Sequence, residues 1–152
     1  MNSVYRFFYH LTRLVLGAVF IYASLDKIFN PGAFAQTVFN YQVLPGALVN
    51  LTALILPWLE LILGAGLLLN RWMQGASSLA AVLMTVFIGL ILFNLARGLD
   101  ISCGCFSTSL EKGPMDMMTL FRDILFLIVA ISLAVLTFYK KNAHYKNQLY
   151  TD

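Results

Sequence analysis

Residues 47–69 have the sequence ALVNLTALILPWLELILGAGLLL, and this stretch decides the class of fold. It carries a single charged residue, Glu60. A helix needs about 20 mainly apolar residues to cross the hydrocarbon core of a bilayer, which is roughly 30 Å thick. The stretch meets this requirement, and it therefore predicts a membrane-spanning helix.

Three other stretches of similar length and composition predict further spans at residues 7–28, 75–96 and 118–139. None alternates apolar and polar residues as a membrane strand does, and backbone groups in lipid must form their hydrogen bonds internally. Because the connections are short, we expect an all-α integral membrane protein folded as an antiparallel four-helix bundle. We expect residues 1–152 to form a single transmembrane domain that keeps its first span as an uncleaved helix.

The composition of the whole chain agrees with this class. Of 152 residues, 60% are hydrophobic and 11% are charged, and the mean hydropathy is +0.79. Soluble domains contain about 25% charged residues, so this chain lacks the polar surface that a soluble domain needs. Its net charge of +3 comes from Lys and Arg residues that are spread along the chain. The absence of a basic stripe argues against a nucleic-acid partner.

The distribution of Lys and Arg predicts the orientation. With four spans, both termini and the connection at residues 70–74 share one side, which holds six Lys and Arg residues. The other side holds four, together with five of the seven acidic residues. Because Lys and Arg accumulate on the cytoplasmic side, we expect both termini, including the tail 140–152, to be cytoplasmic. The loop 97–117 is then extracytoplasmic.

Cys103 and Cys105 are the only cysteines, and Gly104 alone separates them. They lie in the loop predicted to be extracytoplasmic, where disulfides persist. A ring closed by so few residues gains little from loop closure and is easily reduced. We therefore interpret Cys103 and Cys105 as catalytic residues of a redox-active dithiol. One thiolate attacks a partner's disulfide and the other resolves the mixed disulfide.

Two other interpretations of the cysteine pair stay open. The pair could be a passive structural disulfide, or its thiolates could bind a soft ion such as Cu(I). Two thiolates without a nearby His or a further Cys make a poor zinc site.

Glu60 requires a partner because a charge within the membrane is costly. It lies roughly 13–14 Å from the end of the second span, and Arg13 lies about 9 Å from the corresponding end of the first. Long side chains can cover the difference, so we expect a Glu60–Arg13 pair with His10 and Tyr22 as neighbours. The pair is either a structural ion pair that fixes helix register or a site that exchanges protons with a bound quinone.

Asn94 and Arg97 are three residues apart near the end of the third span and are expected on one helix face. They lie at the level of Asp26 and Lys27, which end the first span. These residues either anchor the interface through cross-helix salt bridges or support the cysteine loop. With Glu60 and Arg13, we take Asn94 and Arg97 as candidate cofactor-binding residues.

Several segments, taken in order and spacing, resemble the MauE/DoxX family of bacterial membrane proteins, and its MauE branch most of all. The segments are Arg13-Leu14-Val15-Leu16-Gly17, Phe20-Ile21-Tyr22-Ala23-Ser24-Leu25-Asp26-Lys27-Ile28, Leu56-Pro57-Trp58-Leu59-Glu60-Leu61 and Cys103-Gly104-Cys105-Phe106. The resemblance implies a four-helix protein of the bacterial inner membrane that is associated with thiol redox chemistry. It further implies a periplasmic thioredoxin-like partner or a disulfide-containing client, and, from the DoxX branch, a quinone acceptor.

The combined hypothesis is a membrane thiol–disulfide redox protein, a possible thiol–disulfide oxidoreductase. Its Cys103–Cys105 pair exchanges electrons between the periplasmic partner and membrane quinone and so supports the maturation of disulfide-containing proteins. Nothing in the sequence itself points to methylamine. The alternatives are a membrane protein that binds or transports Cu(I) or Hg(II), and a non-catalytic assembly factor.

Overall fold

The computed structural model describes residues 3–98 and 117–149. Within these ranges the chain forms five α-helices and no strand. The helices are α1 (Ser3–Phe29), α2 (Pro31–Asn40), α3 (Gly46–Leu68), α4 (Met73–Ala96) and α5 (Met117–Leu149). The predicted all-α fold is confirmed.

Four segments of these helices are long and apolar enough to cross a bilayer. They are Arg6–Phe29, Gly46–Leu68, Met73–Ala96 and Leu120–Tyr139. Each lies within about three residues of a predicted span. The structure is therefore that of a multi-pass helical membrane protein, and the predicted count of four spans is confirmed.

Helices α1 and α3 pack most extensively, and they run antiparallel. The Tyr9 hydroxyl donates a hydrogen bond of 3.2 Å to Oδ1 of Asn70, just beyond the end of α3. Further along, a Cβ on Gly64 would lie 2.9 Å from the Gly17 carbonyl oxygen, and a Cβ on Gly17 would lie 3.1 Å from the Gly64 carbonyl oxygen. Only glycine permits such a close approach, and small residues at helix contacts are typical of membrane bundles.

The core lies beside this contact. Leu16 and Leu67 are fully buried there and belong to one apolar cluster with Ala80, Ala130 and Leu133 from α4 and α5. Helix α5 packs mainly on α4 and also on α1, whereas α3 and α4 have a smaller contact. In the short connection between α3 and α4, the Arg71 amide donates a hydrogen bond of 3.0 Å to the Gly66 carbonyl oxygen in the last turn of α3.

Helix α2 lies within the first connection, which we expected to be an apolar segment covering the bundle. It begins with Pro31, a favourable first helical residue because proline has no N–H to leave unsatisfied. It buries Phe34 and Thr37 against the bundle and packs mainly on α3. One end of the bundle holds α2, the last turns of α1 and α4, and the first turn of α3. We call this end the α2 end.

Residues 140–149 of the predicted tail continue α5 as helix. Most of the predicted loop 97–117 lies outside the described residues, and so do residues 150–152. The single-domain organisation and the cytoplasmic position of the termini stay predictions.

Candidate functional site

A buried ion pair joins α1 to α3 at the α2 end. Nζ of Lys27 lies 2.8 Å from Oε1 and 2.7 Å from Oε2 of Glu60, and each residue is 2% exposed. A single buried charge costs several kcal/mol, and the attraction of a well-placed partner offsets this only with good geometry. The ammonium between both carboxylate oxygens satisfies that condition, and the pair is neutral as a whole.

Two aromatic rings surround the same ammonium. Nζ of Lys27 lies 5.2 Å from the ring centroid of Phe34 on α2 and 5.5 Å from that of Phe87 on α4. Both distances are within the range in which a ring face attracts a cation. The Lys27 side chain of α1 therefore contacts α2, α3 and α4.

Lys27 also lines a cavity of about 360 Å³. Its walls are apolar side chains of α2, α3 and α4, such as Val38, Leu56 and Leu83, and its polar lining residues besides Lys27 are Thr37, Tyr41 and Thr52. Small-molecule sites have this character, being mostly apolar with a few polar groups, and they have volumes of about 300–1,000 Å³. The cavity is therefore large enough for a small ligand.

The predicted Glu60–Arg13 pair is wrong, because Glu60 pairs with Lys27. Gly17 opposes Gly64 in the antiparallel register. Glu60 precedes Gly64 by four residues and thus lies about 6 Å along the helix axis from the Gly17–Gly64 contact, toward the α2 end. Arg13 precedes Gly17 by four residues and lies about 6 Å from the same contact in the opposite direction. Helical side chains also tilt toward the N-terminus of their helix. Glu60 and Lys27 consequently lean toward each other.

Arg13 and its expected neighbours have other environments. Nε of Arg13 is buried and makes no hydrogen bond with the described residues. His10 is exposed, and Tyr22 is 68% exposed on the outside of α1. The structure therefore brings none of these three side chains to the buried pair.

Asn94 and Arg97 do not share an environment either, contrary to the prediction of a common face. Asn94 is fully buried, and its side-chain amide donates a hydrogen bond of 3.0 Å to the Leu90 carbonyl oxygen. Its Oδ1 accepts no hydrogen bond from the described part of the chain. Arg97 is exposed, with its guanidinium 5.4 Å from the Phe93 ring centroid. Asn94 is the one that faces the bundle.

A second acidic group lies at the α2 end. Asp123 on α5 is buried, and its Oδ1 accepts hydrogen bonds of 3.1 and 3.0 Å from Nε and Nη2 of the half-exposed Arg122. Burial, and to a smaller extent the nearby Asp123 carboxylate, raises the pKa of Tyr41 to about 12. Tyr41 lines the cavity, so the phenol stays protonated at neutral pH beside that carboxylate.

Sequence reasoning missed two residues of this site. It placed Lys27 at the membrane interface, and it gave Tyr41 no role in a site. The available signal for Lys27 was its position as a basic residue in the last turn of α1. No local pattern could distinguish Lys27 from Arg13, because the choice depends on how α1 and α3 align.

The proposed redox pair, Cys103 and Cys105, lies outside the described residues. The described helices on either side of that segment are α4, which ends at Ala96, and α5, which begins at Met117. The last turn of α4 lies at the α2 end, and the start of α5 carries Asp123, close to Tyr41. The end of α4 and the start of α5, the described helix ends that flank the cysteine segment, therefore lie on the side of the bundle that holds α2.

A family model described as methylamine utilisation protein MauE matches residues 5–137. The methylamine utilization protein MauE of Paracoccus denitrificans is 32% identical over 123 residues, which are 80% of this chain and 66% of that relative. The protein of the same name from Methylophilus methylotrophus is 33% identical over 112 residues, 73% of this chain and 59% of that relative. The chain thus spans about half to two thirds of the length of the curated relatives it matches. No solved structure matches it significantly. The resemblance seen in the sequence is confirmed, and the chain belongs to the MauE family.

Proposed function

We propose that this protein is a thiol–disulfide redox protein of the bacterial inner membrane that supports disulfide formation in extracytoplasmic proteins. The observation that carries the proposal is the Cys103-Gly104-Cys105 unit in the segment between α4 and α5. The distribution of Lys and Arg supports an extracytoplasmic position for that segment, where a disulfide is stable.

The exchange follows from the chemistry of two adjacent cysteines. A thiolate of a reduced thioredoxin-like partner attacks one sulfur of the Cys103–Cys105 disulfide, and the other sulfur leaves as a thiolate. The partner's second thiolate then attacks the mixed disulfide. The partner loses two electrons and two protons and becomes a disulfide, while Cys103 and Cys105 become a dithiol.

The dithiol must be reoxidised for a second turnover. A membrane quinone, when bound, accepts two electrons and two protons and so balances the reoxidation. The contribution of this chain is the pair of cysteines in the segment between α4 and α5, and α4 also lines the apolar cavity.

The names of the curated relatives suggest the client. Both proteins described above are called methylamine utilization proteins. We propose that the disulfide-containing client, or the partner that oxidises it, serves methylamine utilisation in this protein's host as well.

Trapping a mixed disulfide tests the proposal. A Cys105→Ser variant and a Cys103→Ser variant are expressed in membranes, free thiols are blocked on acid quenching, and the protein is separated without reductant. One of the two variants should accumulate a reducible adduct with a soluble extracytoplasmic protein. In this reverse direction its remaining thiolate attacks the disulfide of the oxidised partner, and the second thiol of this chain, which would resolve the mixed disulfide, is missing. The double Cys103→Ser/Cys105→Ser variant is the control and should form none.

Two outcomes contradict the proposal. One is the absence of an adduct in both single variants. The other is stoichiometric binding of Cu(I) or Hg(II) by the reduced protein that disappears in the double variant, with no thiol exchange; this result would favour a soft-metal protein.

A further inference from the structure

The cavity beside Lys27 has an opening to the bilayer. Val86 of α4 lines it and is 51% exposed, and Val43 and Leu44 line it from the connection between α2 and α3 and are also exposed. Helices α3 and α4 are close near their connection, where a Cβ on Gly66 would lie 3.8 Å from Cβ of Ala76. Further from the connection, Leu56 of α3 and Leu83 and Val86 of α4 line the cavity. A ligand dissolved in the membrane can enter between these two helices.

The charge inside the cavity limits what can bind. Among the described residues, Lys27 is the only charged one that lines the cavity, and Glu60 already neutralises it with both carboxylate oxygens. An anionic head group would place a second negative charge beside Glu60 in an apolar environment, which is unfavourable. A neutral ligand avoids this cost.

The hydrogen-bonding groups indicate the ligand's chemistry. A lysine ammonium has three N–H donors, and Glu60 has two acceptor oxygens facing them. The two contacts with Glu60 use two of these donors, and Lys27 itself lines the cavity. The protonated phenol of Tyr41 also lines the cavity, and the ring of Phe87 offers an aromatic wall. These features suit a flat molecule with carbonyl oxygens.

From this geometry we infer that the cavity binds a neutral, membrane-soluble carbonyl compound of the quinone type, whose carbonyl oxygen accepts a hydrogen bond from Lys27. This inference deepens the proposed function, because it locates the acceptor that the proposal requires. The inference is argued from the described lining residues alone, and the cysteines lie outside the described part of the chain.

A binding experiment on the full chain in lipid nanodiscs tests the inference. The probe is a short-chain benzoquinone, and its equilibrium dissociation constant is compared with that of an alkylbenzene of similar size without carbonyl groups. The quinone should bind at least about tenfold more tightly, which is the value of one good hydrogen bond. Equal affinities would overturn the inference. Tighter binding of a long-chain fatty acid than of the quinone would also overturn it.

Two matched α4 variants locate the site. Val86→Trp fills the cavity and should weaken quinone binding by about tenfold or more. Val82→Trp is the control, because Val82 lies one turn away, is similarly exposed at 55% and lies outside the cavity lining. It should change the affinity by less than about twofold. Equal effects of the two substitutions would contradict this location.

The double variant Lys27→Met/Glu60→Met tests the polar contact without leaving a lone buried charge. It should still bind the alkylbenzene but should lose the preference for the quinone. If the preference persists, Lys27 does not hold the carbonyl. The Cys103→Ser/Cys105→Ser variant should bind the quinone as the native chain does, so failure of thiol exchange and failure of quinone binding are separate results.

Discussion

Helices α1 and α3 are in backbone contact at Gly17 and Gly64, whereas toward the α2 end the same helices are joined by side chains, with Lys27 bound to Glu60 beside a cavity. We call the region around Leu16, Gly17, Gly64 and Leu67 the packed half. The packed half contains apolar and small residues, and the α2 end contains the buried charges of the pair. The comparison shows that close packing sets the register of α1 and α3. This register determines which charged side chains meet.

The largest expected effect comes from removing one charge at the α2 end. Lys27→Met leaves the Glu60 carboxylate buried without its partner, and this should lower the free energy of unfolding by about 3–5 kcal/mol. The double variant Lys27→Met/Glu60→Met should recover most of that loss, because an apolar pair of similar volume replaces the ion pair. Denaturant unfolding in mild detergent measures both.

A double-mutant cycle of the same kind discriminates between Lys27 and Arg13 as the partner of Glu60. Arg13→Met should show no coupling with Glu60→Met, since the two sites lie on opposite sides of the Gly17–Gly64 contact. A coupling energy for Arg13 and Glu60 as large as that for Lys27 and Glu60 would contradict the register described above.

A smaller loss of stability is expected from a substitution in the packed half. In a Gly64→Ala variant the new methyl group would lie 2.7 Å from Cγ1 of Ile21 and 2.9 Å from the Gly17 carbonyl oxygen. The backbone oxygen cannot move without shifting α1, so the free energy of unfolding should fall by about 1–3 kcal/mol. Thermal unfolding followed by circular dichroism measures the change.

Gly89→Ala is the matched control for Gly64→Ala. Gly89 lies in α4, and a Cβ there would meet nothing within 4 Å. Alanine is the better helix former by roughly 0.5–1 kcal/mol, so this variant should be neutral or slightly more stable. If Gly64→Ala behaves like Gly89→Ala, then α1 and α3 do not approach closely.

The smallest effect is a change in titration at the α2 end. The neutral phenol of Tyr41 is favoured in the folded state, where its pKa is about 12 against an ordinary value of 10.0. Its contribution to stability is therefore complete below pH 10 and is lost as the pH rises toward 12. The absorbance titration of tyrosinate, taken as the difference between the native chain and Tyr41→Phe, should show this late-titrating group.

Asp123→Asn removes the carboxylate that raises the pKa of Tyr41. The pKa of Tyr41 should then fall, though it should stay above 10 because burial makes the larger contribution. An unchanged titration in this variant would mean that Asp123 and Tyr41 are not neighbours.

The sequence predicted those features that depend on local composition. The four spans follow from the length and hydropathy of each stretch, and Glu60 was recognised as a buried acid because no other charge lies in its span. Helix α2 was expected only as an apolar covering segment, although Pro31 is a common helix start.

The rest depends on contacts between distant residues. The partner of Glu60 is fixed by the approach of Gly17 to Gly64 and by the tilt of the Lys27 side chain, and neither is visible in a single helix. The cavity is lined by side chains of α2, α3 and α4 together, and no pattern within any one of these helices predicts it.

The redox state of Cys103 and Cys105 tests the central claim most directly. Membranes are quenched with acid, alkylated with a mass tag and analysed for the dithiol and disulfide forms while the bilayer quinone pool is oxidised, reduced or depleted. The account predicts that the pair is mainly a disulfide when the pool is oxidised, and that the dithiol accumulates when the pool is reduced or depleted. A pair that stays in one state under all three conditions would contradict the account.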